Sequence, residues 1–158
     1  NDRAACGGPA DARVLGIDID IRAHNREAIE AHPMARRIDM IEGSSIAPEV
    51  IEQVRAAAQG RDRVLVCLDS NHTRDHVLGE LRAYAPLVTV GSYCVVFDTL
   101  IEDMPEAMFT DRPWGPGNGP KTAVRDYLAE APGFVVDRAM EHKLLITVAP
   151  EGYLRRVA

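Results

Sequence analysis

Hydrophobic and polar positions in the first half of the chain alternate between strand-like runs and helical segments. Short runs rich in β-branched and aliphatic residues predict strands, whereas apolar residues three and four positions apart predict helices. On this basis the predicted order is strand (14–21), helix (24–31), strand (37–42), helix (48–58), strand (64–68) and helix (73–85). Such a regular alternation favours an α/β fold with a mostly parallel sheet.

The second half of the chain departs from this alternation. A further strand is expected over 87–97, entered by a turn at Gly91 and Ser92, and residues 99–119 carry no clear period. The pattern then predicts one helix (121–130) and three strands (134–138, 144–148 and 153–157). Because no helix is expected between these last strands, we expect an antiparallel addition at the C-terminal edge of the sheet.

Length and composition fit one globular domain. The chain has 158 residues, of which 46% are hydrophobic and 27% are charged, and a chain of this kind buries a sizeable core. Residues 1–13 contain Gly, Pro and small residues without a period, and they are expected to form a loop or a mobile end. We therefore interpret residues 1–158 as a single domain.

Charge and cysteine usage argue against several classes of function. The formal net charge is -6, whereas proteins that bind nucleic acid usually carry a basic excess or stripe. Neither a signal peptide nor an apolar run of about 18 residues is recognised, so we expect a cytoplasmic protein without a membrane partner. Cys6, Cys67 and Cys94 lack the spacing of a disulfide framework or a zinc site. Cys67 and Cys94 fall in predicted strands and are interpreted as buried.

Carboxylates follow three of the predicted strands. Asp18, Asp69 and Asp98 each come at the end of an apolar run. In open α/β sheets, ligands bind beyond the carboxyl ends of the strands, and an acidic residue at such an end accepts hydrogen bonds from ribose hydroxyls. Three such residues indicate a binding site at one edge of the sheet. The alternative for each of them, a turn former or a helix cap, stays open at this point.

The residues around Asp69 suggest metal-assisted chemistry. Asp69 and Asp98 would supply the carboxylate oxygens that Mg²⁺ prefers. His72 follows Asp69 by three residues and either acts as a general base on a substrate hydroxyl or is a helix-capping or surface histidine. Ser44 and Ser45, in the turn after the second predicted strand, either contact a ligand or cap the following helix.

Two other chemistries have weaker support, and one aromatic residue stays ambiguous. His72 and His76 have the spacing of two zinc ligands on a helix, but Thr73 replaces the glutamate that a zinc protease carries after the first histidine. Ser70 is not surrounded by a G-x-S-x-G turn, and no residue is placed to orient a base for it. Trp114, the only tryptophan, lies in a Gly/Pro-rich loop as either a substrate wall or a hydrophobic plug.

Several segments resemble the cephalosporin hydroxylase family. They are the strands VLGIDIDI, RVLVCLDSNHT and YCVVFDT, the loop RPWGPGNGPKTAV and the ending HKLLITVAPEGYLRRV. The resemblance covers essentially the whole chain, and DSNHT, PWGPGN and APEGYL are its most specific parts. It implies a Rossmann-like class I methyltransferase fold and an S-adenosylmethionine-dependent O-methyltransferase of the catechol O-methyltransferase type.

The resemblance also implies roles for residues on the donor side. Asp18 would bind the ribose hydroxyls of S-adenosylmethionine, and Ser44 and Ser45 would lie near its adenine. On the acceptor side we expect Trp114 and Glu102 to contact the substrate.

The metal site departs from the family pattern at one position. By resemblance, Asp69 and Asp98 would be the ligands of Mg²⁺. Some relatives carry two consecutive acidic residues at the second of these positions, whereas Phe97 precedes Asp98 here. A ligand is therefore missing, or Glu102 or Asp103 supplies it.

The front of the chain departs further. Family members begin their sheet with a strand and a glycine-rich turn that cradles the methionine part of the cofactor. This chain opens just before the second strand, so we expect an N-terminally incomplete sheet. Gly7 and Gly8 cannot replace the turn because no strand precedes them.

The sequence therefore predicts a Mg²⁺-dependent O-methyltransferase that transfers a methyl group from S-adenosylmethionine to a hydroxyl of a sugar or secondary metabolite. His72 falls where the catechol enzymes place a basic catalytic residue, and it would take the proton of that hydroxyl. The alternatives are a non-catalytic module that acts in binding or assembly and, ranked lower, a hydroxylase. Self-association into a homo-oligomer is compatible with the sequence.

Overall fold

The structure is a computed structural model that describes residues 11–158. The prediction made for the first ten residues lies outside the described residues. The chain forms two compact units, of which the first ends at Val54 and the second comprises Arg55–Ala158. Within residues 11–158, no helix has both the length and the apolar character needed to cross a membrane.

The first unit contains one parallel strand pair and its connecting helix. Its elements are β1 (Val14–Asp18), α1 (Ala23–Glu30), a 3-10 helix (Ala35–Arg37), β2 (Ile38–Glu42) and the start of α2 (Pro48–Ala58). The strands run parallel in a register that places Val14 opposite Ile38 and Asp18 opposite Glu42. The predicted order of strand, helix, strand and helix is confirmed in this unit.

A glycine turn follows β2 and fixes the chain beside the end of β1. The Gly43 amide donates a 2.8 Å hydrogen bond to the Asp18 carbonyl. Gly43 has a φ of 152°, and a Cβ at this position would lie 2.9 Å from Cγ2 of Val50. Because only glycine meets both requirements easily, this turn brings Ser44 and Ser45 to the edge of the strand pair that Asp18 occupies.

The second unit contains a four-stranded mixed sheet. Its elements are β3 (Val66–Leu68), α3 (Arg74–Tyr84), β4 (Tyr93–Val96), α4 (Pro120–Glu130), β5 (Phe134–Val136), α5 (Arg138–Leu144), β6 (Tyr153–Arg156) and three 3-10 helices (Ala85–Leu87, Thr99–Asp103 and Glu106–Phe109). The strand order is β3-β4-β6-β5. β3 and β4 are parallel, whereas β6 is antiparallel to both β4 and β5. The α/β class and the antiparallel C-terminal edge are confirmed.

The core of the second unit lies between the sheet and the helices α3 and α4. Leu81 of α3, Val124 of α4, Val96 of β4 and Leu154 of β6 are at most 1% exposed. Burying an aliphatic side chain of this size contributes about 1.5–3 kcal/mol. The helix predicted over 73–85 buries Val77, Leu78 and Leu81, and this packing holds β3 and β4 in place.

The prediction of a strand over 144–148 is wrong, as is the expectation that no helix separates the last strands. Asp137 accepts hydrogen bonds from the amides of Ala139 and Met140 and thereby caps α5. The helix ends at Leu144, and the φ of the following residue, Leu145, is 64°. Leu145 and Ile146 are 87% and 91% exposed, so this apolar run is not a core strand.

Residues 99–119 contain short helices rather than a featureless loop. The 3-10 helices Thr99–Asp103 and Glu106–Phe109 lie in the first half of this segment. A 3-10 helix has three residues per turn and these are only four or five residues long, so they leave no 3.6-residue period in the sequence.

Gly152 allows the final strand to approach the end of β4. It accepts a 2.9 Å hydrogen bond from the Val96 amide through its carbonyl and donates another to the Ala149 carbonyl. A Cβ on Gly152 would lie 2.2 Å from the Val96 oxygen and 3.1 Å from the Ala149 oxygen. The glycine in the APEGYL segment thus has a packing reason, because no side chain fits between these two backbones.

Replacement of Gly152 by alanine should destabilise the second unit. We expect Gly152→Ala to lower the free energy of unfolding by about 1–3 kcal/mol or more, because the methyl group meets backbone atoms that cannot rotate away. Denaturant unfolding followed by circular dichroism measures this loss. Gly16→Ala is the matched control, since its Cβ would lie no closer than 4.0 Å to the Asp39 oxygen. Equal stability of Gly152→Ala and the unchanged chain would contradict this account of the strand approach.

Candidate functional site

The parallel pairing of β3 and β4 brings two carboxylates to one edge of the sheet. Leu68 lies opposite Val96 in the register, and the Phe97 amide donates a 2.9 Å hydrogen bond to the Leu68 carbonyl. Asp69 directly follows β3, and Asp98 comes two residues after the end of β4. Of the three carboxylates expected at one edge of the sheet, the structure brings Asp69 and Asp98 together, whereas Asp18 belongs to the two-stranded sheet of the first unit.

His72 lies between the two carboxylates. Its Nε2 atom is 2.6 Å from Oδ2 of Asp98 and 3.8 Å from Oδ1 of Asp69. Nε2 is therefore the ring nitrogen that faces the carboxylates, and in the tautomer that carries a proton there it donates the short hydrogen bond to Asp98. The His72 side chain is 22% exposed, against 37% for Asp98 and 60% for Asp69. The cluster therefore opens to solvent on the Asp69 side.

The donor atoms of this cluster fit one divalent cation. One oxygen each from Asp69 and Asp98 and one nitrogen of His72 lie within 4.8 Å of one another. Two oxygens bound to one Mg²⁺ at about 2.0–2.1 Å lie up to about 4.2 Å apart, so the spacing of these atoms is close to that which a shared ion requires. Mg²⁺ is typically held by one or two carboxylates and keeps several waters, so Asp69 and Asp98 suit it without a further acidic ligand.

The loop between β3 and α3 is fixed by its own side chains. Asn71 Oδ1 accepts hydrogen bonds of 2.9 Å from the Thr73 amide and 2.7 Å from the Thr73 hydroxyl. This turn starts α3 directly after His72. Each residue of DSNHT thus has a contact that shapes the loop or belongs to the cluster.

Asp98 immediately precedes the 3-10 helix Thr99–Asp103 and has a strained backbone. Asp98 has a φ of 54°, a left-handed conformation that is uncommon for a residue with a side chain. Thr99, which is fully buried, donates a 2.7 Å hydrogen bond from its hydroxyl to the Pro150 carbonyl. The C-terminal segment therefore holds the backbone that carries Asp98.

A buried polar network behind Asp69 was missed from the sequence. Ser70 donates a 2.7 Å hydrogen bond from Oγ to Oε1 of Glu80, and Glu80 is only 2% exposed. Nε2 of His76 is 3.3 Å from the Ser70 hydroxyl and 3.6 Å from Glu80 Oε1. Within the described residues, Oε2 of Glu80 is buried without a hydrogen-bond partner. A signal existed, because position 80 lies three residues after Val77 and so falls on the apolar face of α3.

This network argues against both of the weaker chemistries, a zinc site at His72 and His76 and a nucleophilic Ser70. His76 faces Ser70 and Glu80 whereas His72 faces Asp98, so the two histidines do not converge on one zinc ion. Glu80 accepts from the Ser70 hydroxyl itself rather than from a histidine between them, so the three residues do not form a nucleophile relay.

Trp114 covers His72 from the Gly/Pro-rich loop. The two ring centroids are 5.2 Å apart with an interplanar angle of 50°, a tilted aromatic contact. The Arg112 guanidinium lies 5.4 Å from the Trp114 ring centroid, within cation–π distance. Trp114 is half-buried, so part of its ring remains accessible beside the cluster.

Neither of the two acidic residues considered as a further ligand belongs to the cluster. Glu102 accepts hydrogen bonds from the Gly117 amide and the Thr122 hydroxyl. Asp103 pairs with the buried ammonium of Lys121. Both carboxylates therefore contact the loop and α4 instead.

The residues predicted for the cofactor belong to the first unit. Asp18 ends β1 and is exposed, and its Oδ1 accepts a 3.1 Å hydrogen bond from the Asp20 amide. The Ser44 carbonyl accepts from the Ala47 amide at the start of α2, and Ser45 is half-buried. The structure brings these three predicted residues to the same edge of the β1–β2 pair.

The cysteine interpretation holds for one residue and fails for the other. Cys94 is buried, whereas Cys67 is exposed. The two residues lie on opposite faces of the sheet, because Cys94 pairs in register with Val66 and Cys67 with Val95. Partial desolvation of the thiol and the nearby charge of Asp69 raise the pKa of Cys67, which keeps it protonated and unreactive at neutral pH.

The site can be compared with known protein families. The family model for rhamnosyl O-methyltransferase/CmcI matches residues 6–157. The chain belongs to this family. The family assignment made from DSNHT, PWGPGN and APEGYL is thereby confirmed.

Two curated relatives illustrate the match of this rhamnosyl O-methyltransferase/CmcI family member. A rhamnosyl O-methyltransferase of Mycobacterium leprae (strain TN) is 33% identical over 148 residues, which cover 91% of this chain and 59% of the relative. One of Mycobacterium tuberculosis (strain ATCC 25618 / H37Rv) is 35% identical over 149 residues, which cover 91% of this chain and 56% of the relative. The chain thus spans little more than half the length of these relatives.

Solved structures show the same fold. The MycE methyltransferase from the mycinamycin biosynthetic pathway, in complex with Mg and SAH, has a TM-score of 0.53 at 20% identity, covering 92% of this chain and 36% of that one. The MycE complex that also holds mycinamycin VI gives 0.52 at 17% identity with the same coverage. At these identities the likeness supports the α/β fold alone.

Removal of the Ser70 hydroxyl should destabilise the site loop. We expect Ser70→Ala to lower the free energy of unfolding by about 1–3 kcal/mol, because a buried Glu80 oxygen then loses its hydrogen-bond donor. Denaturant unfolding measures the loss. The double variant Ser70→Ala/Glu80→Met should recover most of it, since both polar partners are then replaced. A double variant no more stable than Ser70→Ala would contradict the network.

Proposed function

We propose that this protein is an S-adenosylmethionine-dependent O-methyltransferase that acts on a sugar hydroxyl with the help of a divalent cation, Mg²⁺ in the first instance. The observation that carries the proposal is the convergence of Asp69, His72 and Asp98 at the carboxyl edge of β3 and β4. Membership of the rhamnosyl O-methyltransferase/CmcI family supports it.

The proposed reaction moves one methyl group and one proton. The methyl carbon leaves the sulfonium sulfur of S-adenosylmethionine and bonds to the acceptor oxygen, while the O–H proton passes to a base. A cation held by Asp69 and Asp98 would supply Lewis-acid polarisation of the acceptor hydroxyl. The chain's own part is to place the acceptor, because orientation accounts for much of the rate of a two-substrate transfer.

His72 is the base in this proposal. Nε2 is the ring nitrogen that faces the cluster, 2.6 Å from Asp98 and 3.8 Å from Asp69, so an acceptor hydroxyl held there would pass its proton to this atom. The Asp98 carboxylate orients the imidazole and stabilises the positive charge that the ring acquires with the proton, as an acid partner does in other histidine bases. Asp98 retains a second oxygen for the cation.

The donor and acceptor sides are proposed from the remaining residues. On the donor side, Asp18 binds the ribose hydroxyls of S-adenosylmethionine, since a carboxylate accepts from two hydroxyls at once, and Ser44 and Ser45 lie near the adenine. On the acceptor side, Trp114 offers an accessible aromatic ring beside His72 against which the apolar face of a sugar packs. The curated relatives are named for a rhamnosyl acceptor, and MycE was solved with Mg, SAH and mycinamycin VI; both support this assignment.

A non-catalytic binding module is not favoured. Such a module has no need to keep two carboxylates and a histidine within 4.8 Å at a strand edge, and the curated relatives carry the names of enzymes.

Loss of one carboxylate should abolish both cation binding and activity. We expect Asp69→Ala to bind Mg²⁺ too weakly to detect by calorimetry and to lower methyl transfer at least about 100-fold, because a Lewis acid contributes several kcal/mol to the barrier. Transfer of a labelled methyl group to rhamnose-containing glycosides measures the activity. Asp75→Ala is the control, since Asp75 is 87% exposed and pairs only with Arg74 in the described contacts.

Two results would overturn the proposed function. One is unchanged methyl transfer by Asp69→Ala in the presence of a chelator. The other is the absence of any heat or thermal shift of the unchanged protein with millimolar S-adenosylmethionine, which would favour a binding module instead.

Loss of the His72 imidazole should lower the rate of methyl transfer without changing the affinity for S-adenosylmethionine. We expect His72→Ala to lower kcat by about 10²–10⁴-fold, as for other general bases, while S-adenosylmethionine binds with unchanged affinity. Calorimetry and single-turnover assays measure the two quantities. A kcat within a few-fold of the unchanged protein would remove His72 from the proposed chemistry.

A further inference from the structure

Glu102 accepts hydrogen bonds from three separate groups. Its Oε2 accepts from the Gly117 amide at 2.9 Å and from the Thr122 hydroxyl at 3.1 Å, and its Oε1 accepts from Arg125 at 3.4 Å. Its side chain is 17% exposed. These partners lie in the Gly/Pro-rich loop and in α4, so Glu102 joins three segments through one carboxylate.

The loop that Glu102 holds is closed on itself. Gly115 and Asn118 exchange backbone hydrogen bonds of 3.4 and 3.0 Å, and the Asn118 side chain donates a 2.8 Å bond to the Pro113 carbonyl. Gly117 at its tip has a φ of 81°, which a residue with a side chain adopts only under strain. A restraint on Gly117 is therefore transmitted to Trp114 through a small, hydrogen-bonded turn.

Glu102 lies on the helix that connects the cluster to this loop. The 3-10 helix Thr99–Asp103 starts at Asp98, whose side chain bonds His72. The loop returns Trp114 to the same histidine. Glu102 thus closes a ring of contacts from Asp98 through the helix and the loop to Trp114 and back to His72.

The helix itself does not depend on Glu102. The neighbouring Asp103 pairs with Lys121, whose side chain is 3% exposed, and this buried pair fixes the end of the helix to α4. Thr99 fixes its start through Pro150. Loss of Glu102 should therefore release the loop and leave the helix in place.

We propose that Glu102 is a positioning residue that holds Trp114 against His72 and thereby sets the acceptor side of the site. The role assigned to the acceptor side rests on the proposed function, whereas the contact between Glu102 and the Trp114 loop does not. Both Glu102 oxygens are engaged by the protein, so a direct contact with substrate would have to displace one of these donors. The effect of Glu102 on substrate selection therefore passes through Trp114.

Tryptophan fluorescence tests the positioning role without any substrate. Trp114 is the only tryptophan, so its emission reports the loop alone. We expect Glu102→Ala to shift the emission to longer wavelength and to raise the rate of acrylamide quenching, because the ring loses its packing and becomes solvated. The emission of Glu102→Gln should lie between that of Glu102→Ala and that of the unchanged protein, since the amide oxygen of the glutamine still accepts one hydrogen bond.

The matched control is Arg125→Ala. It removes the longest of the three contacts, from a side chain that is 55% exposed, and should leave the emission close to that of the unchanged protein. Far-ultraviolet circular dichroism shows that each variant is folded, and Glu102→Gln replaces Glu102→Ala if the latter is not. Emission and quenching that are identical in all Glu102 variants and the unchanged protein would overturn the proposal.

Kinetics then separate positioning from a merely structural role. With a glycoside acceptor, Glu102→Ala should raise KM for the acceptor up to about tenfold, the value of one aromatic packing contact, with a smaller change in kcat and no change in Mg²⁺ affinity. A shifted emission with an unchanged acceptor KM would overturn the assignment to acceptor selection. If the unchanged protein transfers no methyl group to any acceptor, the proposed function fails, and the fluorescence result still decides whether Glu102 positions Trp114.

Discussion

The parallel pairing of β3 with β4 is the constraint on which the candidate site depends. Two short strands of three and four residues place Asp69 and Asp98 at one edge, and one further backbone hydrogen bond from Phe97 extends the register to the residue before Asp98. A slip of one residue would turn every side chain of a strand to the opposite face. The buried packing of α3 and α4 against the sheet fixes that register, so core stability and site geometry share one cause.

The residues that hold the site act mostly through the backbone. Gly152 permits the approach of the final strand, Pro150 accepts from Thr99, and Thr99 follows the left-handed Asp98. A left-handed aspartate costs free energy and persists only where its surroundings enforce it. The segment from Pro150 to Gly152 supplies that enforcement, which gives the C-terminal part of the family resemblance a physical purpose although it contributes no atom to the cluster.

The sequence predicts the structure best where a local pattern, such as hydrophobic periodicity or a carboxylate after an apolar run, determines the position of a residue. The alternation of periods and the carboxylates after apolar runs were enough to predict Asp69, Asp98 and His72 together, because parallel strands carry their carboxyl ends to one side. It failed where tertiary contacts override the local pattern. The apolar run at Leu144–Ile146 resembles a strand, yet the Asp137 cap starts a helix before it, and Cys67 is exposed although its strand is apolar.

Acidic residues show most clearly why residue type alone does not assign a role. Glu80, Asp98 and Glu102 are three carboxylates of the second unit, and their environments differ. Glu80 is enclosed and bonded to a hydroxyl, Glu102 is occupied by three donors, and Asp98 keeps one oxygen beside a half-open cluster. A cation needs carboxylate oxygens that it can reach and that no strong donor already occupies. Glu80 has an oxygen without a partner but is only 2% exposed, so of the three environments only that of Asp98 suits a cation. Exposure and the donors around each oxygen, which only the folded chain provides, separate the proposed ligand from the other two carboxylates.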